Sequence, residues 1–288
     1  MSKLLIIADI EDKCLATPRG LQLAEAMDLK PEIVAFVYTD LKRLKLDAKA
    51  KAGVKKQIIS ERRDSLTKRI EKYAGSAQGV KVNVIWSEDV AQWICKRAAG
   101  DYAAIVKTRH QSESVGHLST DWQLLREAPV PLLLVSEKKF KKNAIIMATV
   151  DLDASSREKQ NLNIEVLLTA RHYAEMLEAE LTVLCVIDVP TVLSDLDLID
   201  PRTYAKNRQW ELQPVVEKLA KDSGLPVSAF KLKRGPIAKT IVSEANAKRA
   251  RLVVMGTVGR RGVKAKLMGN TAEDVLALLR MDTLTLKP

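Results

Sequence analysis

The sequence Lys3-Leu-Leu-Ile-Ile-Ala-Asp9 returns in altered form as Ala144-Ile-Ile-Met-Ala-Thr-Val-Asp151. Each copy is an apolar run of the β-strand type that ends at an aspartate. Four more such runs follow each copy in the same order. They are Glu32–Tyr38, Val80–Trp86, Ala103–Val106 and Pro131–Val135 in the first half, and Leu181–Ile187, Val227–Lys233, Arg251–Met255 and Thr283–Leu286 in the second. One five-strand unit is therefore present twice.

Amphipathic helical patterns separate these strands in both halves. They cover Arg19–Met27, Val54–Ala74, Val90–Ala99 and Asp121–Glu127, and then Asn163–Leu177, Thr203–Asp222, Ile237–Ala247 and Ala272–Leu279. Apolar strands that alternate with helices indicate a parallel sheet covered on both faces. We therefore predict an α/β protein with two tandem domains, 1–137 and 144–288, each a five-stranded doubly wound parallel sheet. Residues 138–143, which include four lysines, are the predicted exposed linker.

Composition excludes several other classes of protein. Of the 288 residues, 47% are hydrophobic and 29% are charged, which is typical of a globular protein rather than a fibrous or disordered one. No apolar run approaches the roughly 18 residues of a membrane span, so we expect a cytoplasmic protein without a membrane span. Cys14, Cys95 and Cys185 form no CxxC pair, which argues against a disulfide framework and a structural zinc site.

The most informative segment follows the fourth strand of the second half. It reads Gly256-Thr-Val-Gly-Arg-Arg-Gly-Val-Lys-Ala-Lys-Leu-Met-Gly-Asn-Thr271 and leads into a predicted helix. Glycines let successive backbone N–H groups approach an anion, and the first turn of a helix favours phosphate. The chain has neither GxxxxGK[ST] nor a GxGxxG after the first strand of either half, which counts against a P-loop NTPase and an ordinary dehydrogenase.

With these residues the chain resembles the universal stress protein family, in particular its tandem, E-type members. Nucleotide-binding members carry Gly-x2-Gly-x9-Gly-(Ser/Thr) after the fourth strand, and Gly256, Gly259 and Gly269 have that spacing. The segment from Gly269 to Glu273 and the closing residues 286–288 look like the E-type variant. The resemblance covers both halves and implies two Rossmann-like domains of the adenine nucleotide alpha hydrolase-like type.

The resemblance also implies a ligand and its contacts. The expected ligand is ATP or another adenine nucleotide, with which Mg²⁺ could enter, while no metal site is predicted from the protein itself. Asp151 would contact the adenosine and the backbone at Val186 the base, whereas Gly256, Gly259, Gly269 and Asn270 would line the phosphates, with Thr271 as a further candidate. Asn270 departs from the Ser or Thr of the family, although its amide can still cap a helix or donate to an oxygen.

Simpler interpretations of the same residues remain open. The glycine segment could be a surface loop before a capped helix, and Asp151 could cap the helix that follows it. Arg260, Arg261, Lys264 and Lys266 could neutralise phosphates or remain solvated.

The first half lacks the glycine motif. Aligning the two halves puts Lys107-Thr-Arg-His110 opposite Gly256–Gly259, and Leu118-Ser-Thr120 opposite Gly269–Thr271. Because side chains would obstruct the backbone approach that a phosphate needs, we expect no nucleotide in this half.

Enzymatic function has little support in the sequence. No Ser/His/Asp or Cys/His grouping comes with an identifiable base, so no catalytic residue is predicted, and a slow ATPase or self-phosphorylating protein is an alternative with at most weak ATP hydrolysis. His110 and His117 have no companion ligands, which argues against a metal site there. Thr120-Asp121 is interpreted as a helix N-cap.

A basic segment supplies a third hypothesis. Residues Leu41–Lys72 hold twelve Lys and Arg against four Asp and Glu, a large part of the net charge of +11. This segment could bind RNA or another polyanion. Tyr73 is the only aromatic residue directly next to it in sequence, and its apolar residues have helical spacing, so a solvated helix face is the favoured interpretation. The main hypothesis is a stress-response binding and signalling module that binds a nucleotide in its second half. A homodimer of the two-domain chain is the expected assembly partner.

Overall fold

The computed structural model describes residues 2–9, 14–43, 45–110, 119–136, 144–190, 196–257 and 270–288, with only the backbone at residues 270 and 271. The chain divides into two compact units, Met1–Ser136 and Glu137–Pro288. The predicted linker, residues 138–143, lies outside the described residues. We refer to the two units as unit 1 and unit 2.

Strands and helices alternate in both units. Unit 1 contains β1 (Lys3–Ala8), α1 (Ala16–Ala26), β2 (Lys30–Val37), α2 (Ala48–Ala74), β3 (Lys81–Trp86), α3 (Val90–Ala98), β4 (Tyr102–Thr108), α4 (Thr120–Glu127) and β5 (Leu132–Val135). Unit 2 contains β6 (Ile145–Val150), α5 (Arg157–Met176), β7 (Glu180–Ile187), α6 (Pro201–Ser223), β8 (Phe230–Arg234), α7 (Ile237–Ala247), β9 (Leu252–Gly256), α8 (Asn270–Leu278) and β10 (Asp282–Leu286). Short 3₁₀ turns lie at Leu41–Arg43 and Val227–Ala229.

The strands of each unit pair in the same order. In unit 1 the order is β3-β2-β1-β4-β5, and in unit 2 it is β8-β7-β6-β9-β10, with parallel pairing within each unit. The prediction of two tandem five-stranded doubly wound parallel sheets is therefore confirmed. In such a sheet the chain changes direction between its first and fourth strands, and ligands bind beyond the carboxyl ends of the strands at that point.

The central strands explain why the fold follows from the apolar runs. Leu4, Leu5 and Ile6 of β1 are fully buried, as is Ile146 of β6. Strands covered by helices on both faces need apolar residues at every position rather than at alternate ones. No helix within the described residues is both long and apolar enough to cross a membrane.

Several element boundaries differ from the sequence prediction, and two of them show why. Helix α2 begins at Ala48 rather than Val54, because the carboxylate of Asp47 accepts the Ala50 N–H at 2.7 Å and caps an earlier first turn. Strand β8 begins at Phe230 rather than Val227, because Val227–Ala229 forms the 3₁₀ turn that enters it.

Candidate functional site

A cavity of about 270 Å³ lies at the carboxyl ends of β6, β7 and β9 in unit 2. This is the place where the strand order reverses and where a doubly wound sheet binds its ligand. The volume is close to the lower end of the range for small-molecule sites, about 300 to 1,000 Å³. Its lining residues are Thr149, Val150, Asp151, Lys159, Leu162, Asn163, Leu184, Val186, Ile237, Ile241, Met255, Gly256 and Ala272.

Asp151 follows β6 and is held at the cavity through its backbone. The buried side chain of Asn163 accepts a hydrogen bond from the Asp151 N–H at 3.1 Å and donates one to the Asp151 carbonyl at 2.6 Å. One carboxylate oxygen of Asp151 accepts the Asp153 N–H at 3.0 Å. The carboxylate is exposed at the cavity, where it can accept hydrogen bonds from the hydroxyl or amino groups of a ligand.

Gly256 ends β9, and its lack of a side chain makes room for α5. A Cβ at this position would lie 2.6 Å from Cδ2 of Leu162, which is itself buried and lines the cavity. Any larger residue would displace Leu162. The glycine is therefore required by close packing between β9 and α5 at the floor of the cavity.

Val186 lies near the end of β7 and forms part of the apolar wall. Ile237 and Ile241 of α7 complete that wall. The neighbouring Cys185 is fully buried, and burial raises the pKa of its thiol to about 12, so it is not a reactive nucleophile. The wall can accommodate a flat apolar group such as a nucleobase.

Lys159 and Asn163 are lining residues that the sequence analysis did not identify. Both belong to the first two turns of α5, which begins at Arg157 after Ser156 caps it by accepting the Lys159 N–H at 3.3 Å. The signal in the sequence was the Ser155-Ser156 pair, a good N-cap before a charged first turn. Lys159 adds a positive charge to the cavity.

The remaining predicted residues are only partly described. Gly259 and Gly269 lie outside the described residues. Asn270 and Thr271 form the start of α8, and Ala272 in its first turn lines the cavity. The amino end of α8 is thus next to the cavity that Asp151, Val186 and Gly256 share.

The strand pairing corrects the alignment of the two halves by one residue. Ile7 pairs with Lys107 in unit 1 as Thr149 pairs with Met255 in unit 2, so Thr108, not Lys107, is the counterpart of Gly256. The Thr108 hydroxyl accepts the N–H groups of Leu15 and Ala16 at 3.1 and 3.0 Å. A side chain of unit 1 therefore occupies the first free N–H groups of α1.

Asp9, the counterpart of Asp151, is also bound by other side chains. Nε2 of His110 lies 2.8 Å from its Oδ1, and Arg62 donates to its carbonyl oxygen. Burial alone would raise the pKa of Asp9, but hydrogen bonds with His110 and Thr108 lower it below its usual value. The carboxylate that is open in unit 2 is thus engaged in unit 1.

A buried ion pair lies beside this carboxylate in unit 1. Nζ of Lys107 is 2.6 Å from Oδ1 of Asp121, and both side chains are 7% exposed. Oδ2 of Asp121 accepts the His110 N–H at 2.8 Å. The prediction of Thr120-Asp121 as the N-cap is wrong, because Ser119 caps α4 by accepting the Trp122 N–H.

A second cavity, which lies in unit 1, has a negatively charged lining that does not favour an anion. It measures about 380 Å³ and is lined by Glu88, Asp89, Val90, Ala91, Thr120 and Gln123. Two carboxylates would repel a phosphate. Across the described parts of both units, no group of three or more His, Cys, Asp or Glu side chains could hold a metal ion.

Comparison with known proteins gives consistent results. Residues 158–287 match the model of the universal stress protein family. The chain is 26% identical to the universal stress protein E homolog of Haemophilus influenzae, over 99% of this chain and 96% of that protein. It is 25% identical to universal stress protein E of Escherichia coli K12, over 83% of this chain and 78% of that one.

Two solved structures share the fold over nearly the whole chain. A functionally unknown protein of Pseudomonas aeruginosa PAO1 has a TM-score of 0.71 at 23% identity, covering 100% of this chain and 93% of that one. A universal stress protein of Archaeoglobus fulgidus DSM 4304 has a TM-score of 0.63 at 16% identity, covering 99% and 96%. At these identities the two structures are informative about the fold alone.

Proposed function

Because this chain is similar to universal stress proteins over most of its length, we propose that unit 2 binds ATP or a related adenine nucleotide and acts as a binding module. The observation that carries the proposal is the cavity itself, where Asp151, Val186 and Gly256 lie together beside the amino end of α8. Asp151 directly follows β6, Val186 belongs to β7 and Gly256 ends β9, so each residue is supplied by a different strand end.

The adenosine part of the nucleotide fits the inner end of the cavity. The adenine base packs against the apolar wall of Val186, Ile237 and Ile241, and the backbone of β7 supplies polar contacts to its edge. The Asp151 carboxylate accepts hydrogen bonds from the ribose or the adenine amino group. Asn163 keeps that carboxylate in place, because it fixes the backbone of Asp151 on both sides.

The phosphates then extend toward the start of α8. The first N–H groups of a helix are unpaired and its dipole is positive at that end, so Asn270 and Thr271 offer an anion site. Lys159 contributes a positive charge from α5. Gly259 and Gly269 are assigned to the phosphates by the family motif, and Mg²⁺ would enter with the phosphates rather than on a protein site.

Titration with a panel of nucleotides tests the proposal. ATP, ADP, AMP and a UDP-sugar are compared by calorimetry and by thermal unfolding, with Asp151→Ala, Gly256→Val and Asn163→Leu as variants. A ligand at about 100 times its Kd stabilises the protein by about 2.7 kcal/mol, so binding will be visible as a higher Tm. We expect adenine nucleotides to raise the Tm and each variant to weaken binding by about tenfold or more.

Asp222→Ala is the matched control, since Asp222 is exposed on α6 and outside the cavity lining. An unchanged Tm with every nucleotide would disprove the proposal, as would an Asp151→Ala variant that binds as tightly as Asp222→Ala. Phosphate release in the same samples tests hydrolysis, with an Asp151→Ala, Gly259→Asp double variant as background.

A further inference from the structure

An aromatic pair, formed by the exposed Tyr38 and the half-buried Trp86, lies beside the basic helix α2 of unit 1. Tyr38 follows β2, three residues before the basic segment begins at Leu41, and the fold brings it next to Trp86, which ends β3. The two ring centroids are 6.1 Å apart and Tyr38 is 49% exposed. Both rings lie at the carboxyl edge of the sheet.

A lysine of α2 belongs to the same cluster. Nζ of Lys55 lies 5.4 Å from the centroid of the Trp86 ring, within the distance of a cation–π interaction. The Tyr38 hydroxyl is hydrogen bonded to Glu88, which with its negative charge raises the pKa of Tyr38. Glu88 repels phosphate from the hydroxyl end of Tyr38, so the aromatic pair is suited to an uncharged base and the lysine side to a phosphate.

Helix α2 presents its basic residues as a continuous stripe. The helix has 27 residues, about 40 Å, whereas β3 has six, about 20 Å. Its buried residues are Leu66 and Ile70, both in its second half. In the earlier turns Val54, Ile58 and Ile59 are only half-buried, and the lysines at 49, 55 and 56 are exposed.

The spacing of the charges aligns three of them in one row. Lys49, Lys56 and Arg63 are seven residues apart, which is close to two helical turns, and Lys55 lies about 100° around the helix from Lys56, on the side of Trp86. All four are exposed. Within the described residues Lys49, Lys51 and Lys56 have no ion pair, and no acidic residue occurs between Ala48 and Ser60.

Unit 2 does not repeat this surface. The strand pairing makes Asp188 the counterpart of Tyr38, and Arg234 the counterpart of Trp86. The aromatic pair therefore belongs to the unit that lacks the glycine motif and holds most of the excess charge.

We propose that the Tyr38–Trp86 pair and the stripe of Lys49, Lys55, Lys56 and Arg63 together bind a single-stranded polynucleotide. The stripe contacts the phosphates, and a base stacks on the aromatic pair. Single-strand binding sites combine these two elements, a positively charged path for the backbone and aromatic side chains that stack on bases without sequence preference. A membrane surface lacks bases for such stacking, and bases within a duplex are already stacked.

Fluorescence anisotropy with labelled oligonucleotides tests this proposal on the full chain. The probes are single-stranded RNA and DNA of about 12 nucleotides, a length within the usual site size, and a duplex of the same length. We expect both single strands, or one of them, to bind more tightly than the duplex. Affinity should fall steeply between about 50 and about 200 mM salt.

Two kinds of variant separate charge from stacking. Trp86→Leu and Tyr38→Leu should weaken single-strand binding by about tenfold while keeping the salt dependence, and Trp86→Phe should restore part of the loss. Lys55→Gln with Lys56→Gln should weaken binding and reduce the slope of log affinity against log salt by about two. Circular dichroism checks that each variant is folded.

Lys218→Gln with Lys221→Gln is the matched control, because both lysines are exposed on α6 of unit 2. The proposal is overturned if the leucine variants bind as well as the original chain, which would mean a surface for polyanions in general. It is also overturned if the duplex binds equally well or if the α6 control loses as much affinity as the α2 variant.

Discussion

The two aspartates that end the first strand of each unit show how single residues separate two copies of one fold. Asn163 fixes the backbone N–H and carbonyl of Asp151, which leaves its carboxylate exposed at the cavity. In unit 1 the N–H of Asp9 donates to Sγ of Cys14, and its carboxylate is bound by His110. The same residue is therefore available to a ligand in one unit and engaged by the protein in the other.

Sequence reasoning found the residues at strand ends but missed those on the helices. Asp151, Val186 and Gly256 were identified because a parallel sheet brings the ends of its strands together. Lys159 and Asn163 were missed, because the sequence pattern starts α5 only at Asn163, whereas the helix starts at Arg157. An apolar pattern shows the buried side of a helix but not which polar residues of its first turns approach a site.

Another buried carboxylate makes the stability of unit 1 depend on pH. Glu32 has a side chain 2% exposed. It accepts hydrogen bonds from Arg97 at 2.8 Å, Tyr102 at 2.8 Å and Asn83 at 3.0 Å. Burial would raise its pKa, but the hydrogen bonds and charge of Arg97 and the hydrogen bond of Tyr102 lower it below the ordinary 4.5. The ionised form of Glu32 is therefore favoured by folding.

We predict that Glu32→Gln removes part of the acid sensitivity of unfolding. A lowered pKa contributes stability that is present above the unfolded-state pKa and lost as pH falls through the folded-state pKa. The free energy of unfolding of the variant should be about 2 kcal/mol lower than that of the original chain near neutral pH, and the difference should shrink as the pH approaches about 3. Denaturant unfolding at several pH values measures this, with the exposed Glu165→Gln as control. A constant difference between Glu32→Gln and the original chain at all pH values would contradict the prediction.

At the scale of elements, the order of strands and helices was predictable, but their ends were less so. Apolar runs indicate which segments are covered, so all ten strands and eight described helices occur where the sequence has them. Starts depend on local hydrogen bonds, such as the Asp47 cap that extends α2 by two turns. The one-residue shift that makes Thr108 the counterpart of Gly256 depends on pairing with β1, which no local pattern reveals.

Two helical glycines should respond in opposite directions to the same substitution. In α1, a Cβ on Gly20 would lie 2.5 Å from Cγ1 of the fully buried Ile6. In α2, a Cβ on Gly53 would meet nothing within 4 Å. Gly53→Ala should therefore stabilise the protein by up to about 1 kcal/mol through helix propensity. Gly20→Ala should destabilise it by about 1 to 3 kcal/mol through overpacking.

Denaturant unfolding of the two alanine variants provides the comparison, and each serves as the control for the other. Equal changes in the free energy of unfolding would show that propensity alone governs both sites. In that case α1 would not pack on β1 as closely as the structure has it.

For the whole molecule, the confirmed fold leaves an asymmetry between two units of equal topology. The resemblance stated from Gly256, Gly259 and Gly269 is confirmed by the family model and by relatives that match most of the chain. The difference between the sites of the two units was harder to predict from the sequence, because it depends on the side chains that surround each site. At the corresponding place in unit 1, Thr108, His110 and Lys107 bind the start of α1, Asp9 and Asp121, whereas Gly256 lines the cavity of unit 2.

We therefore predict one nucleotide per chain rather than two. Calorimetric titration with the adenine nucleotide that gives the largest thermal shift should reach a stoichiometry of one. Asp151→Ala should weaken the binding, because it removes the exposed carboxylate of the open cavity. Asp9→Asn should leave the affinity unchanged, because the Asp9 carboxylate is already bound by His110.

Native mass spectrometry of the nucleotide complex distinguishes the outcomes, since it counts by mass the nucleotides bound to each chain. A second nucleotide on the original chain that disappears in Asp9→Asn would mean that the His110 and Lys107 network opens to admit a ligand. That result would contradict the prediction that unit 1 binds no nucleotide. The Lys107–Asp121 ion pair, with both side chains 7% exposed, is costly to separate unless a ligand replaces its contacts. A single nucleotide retained in Asp9→Asn and weakened in Asp151→Ala is the pattern that the two surroundings of the aspartates require.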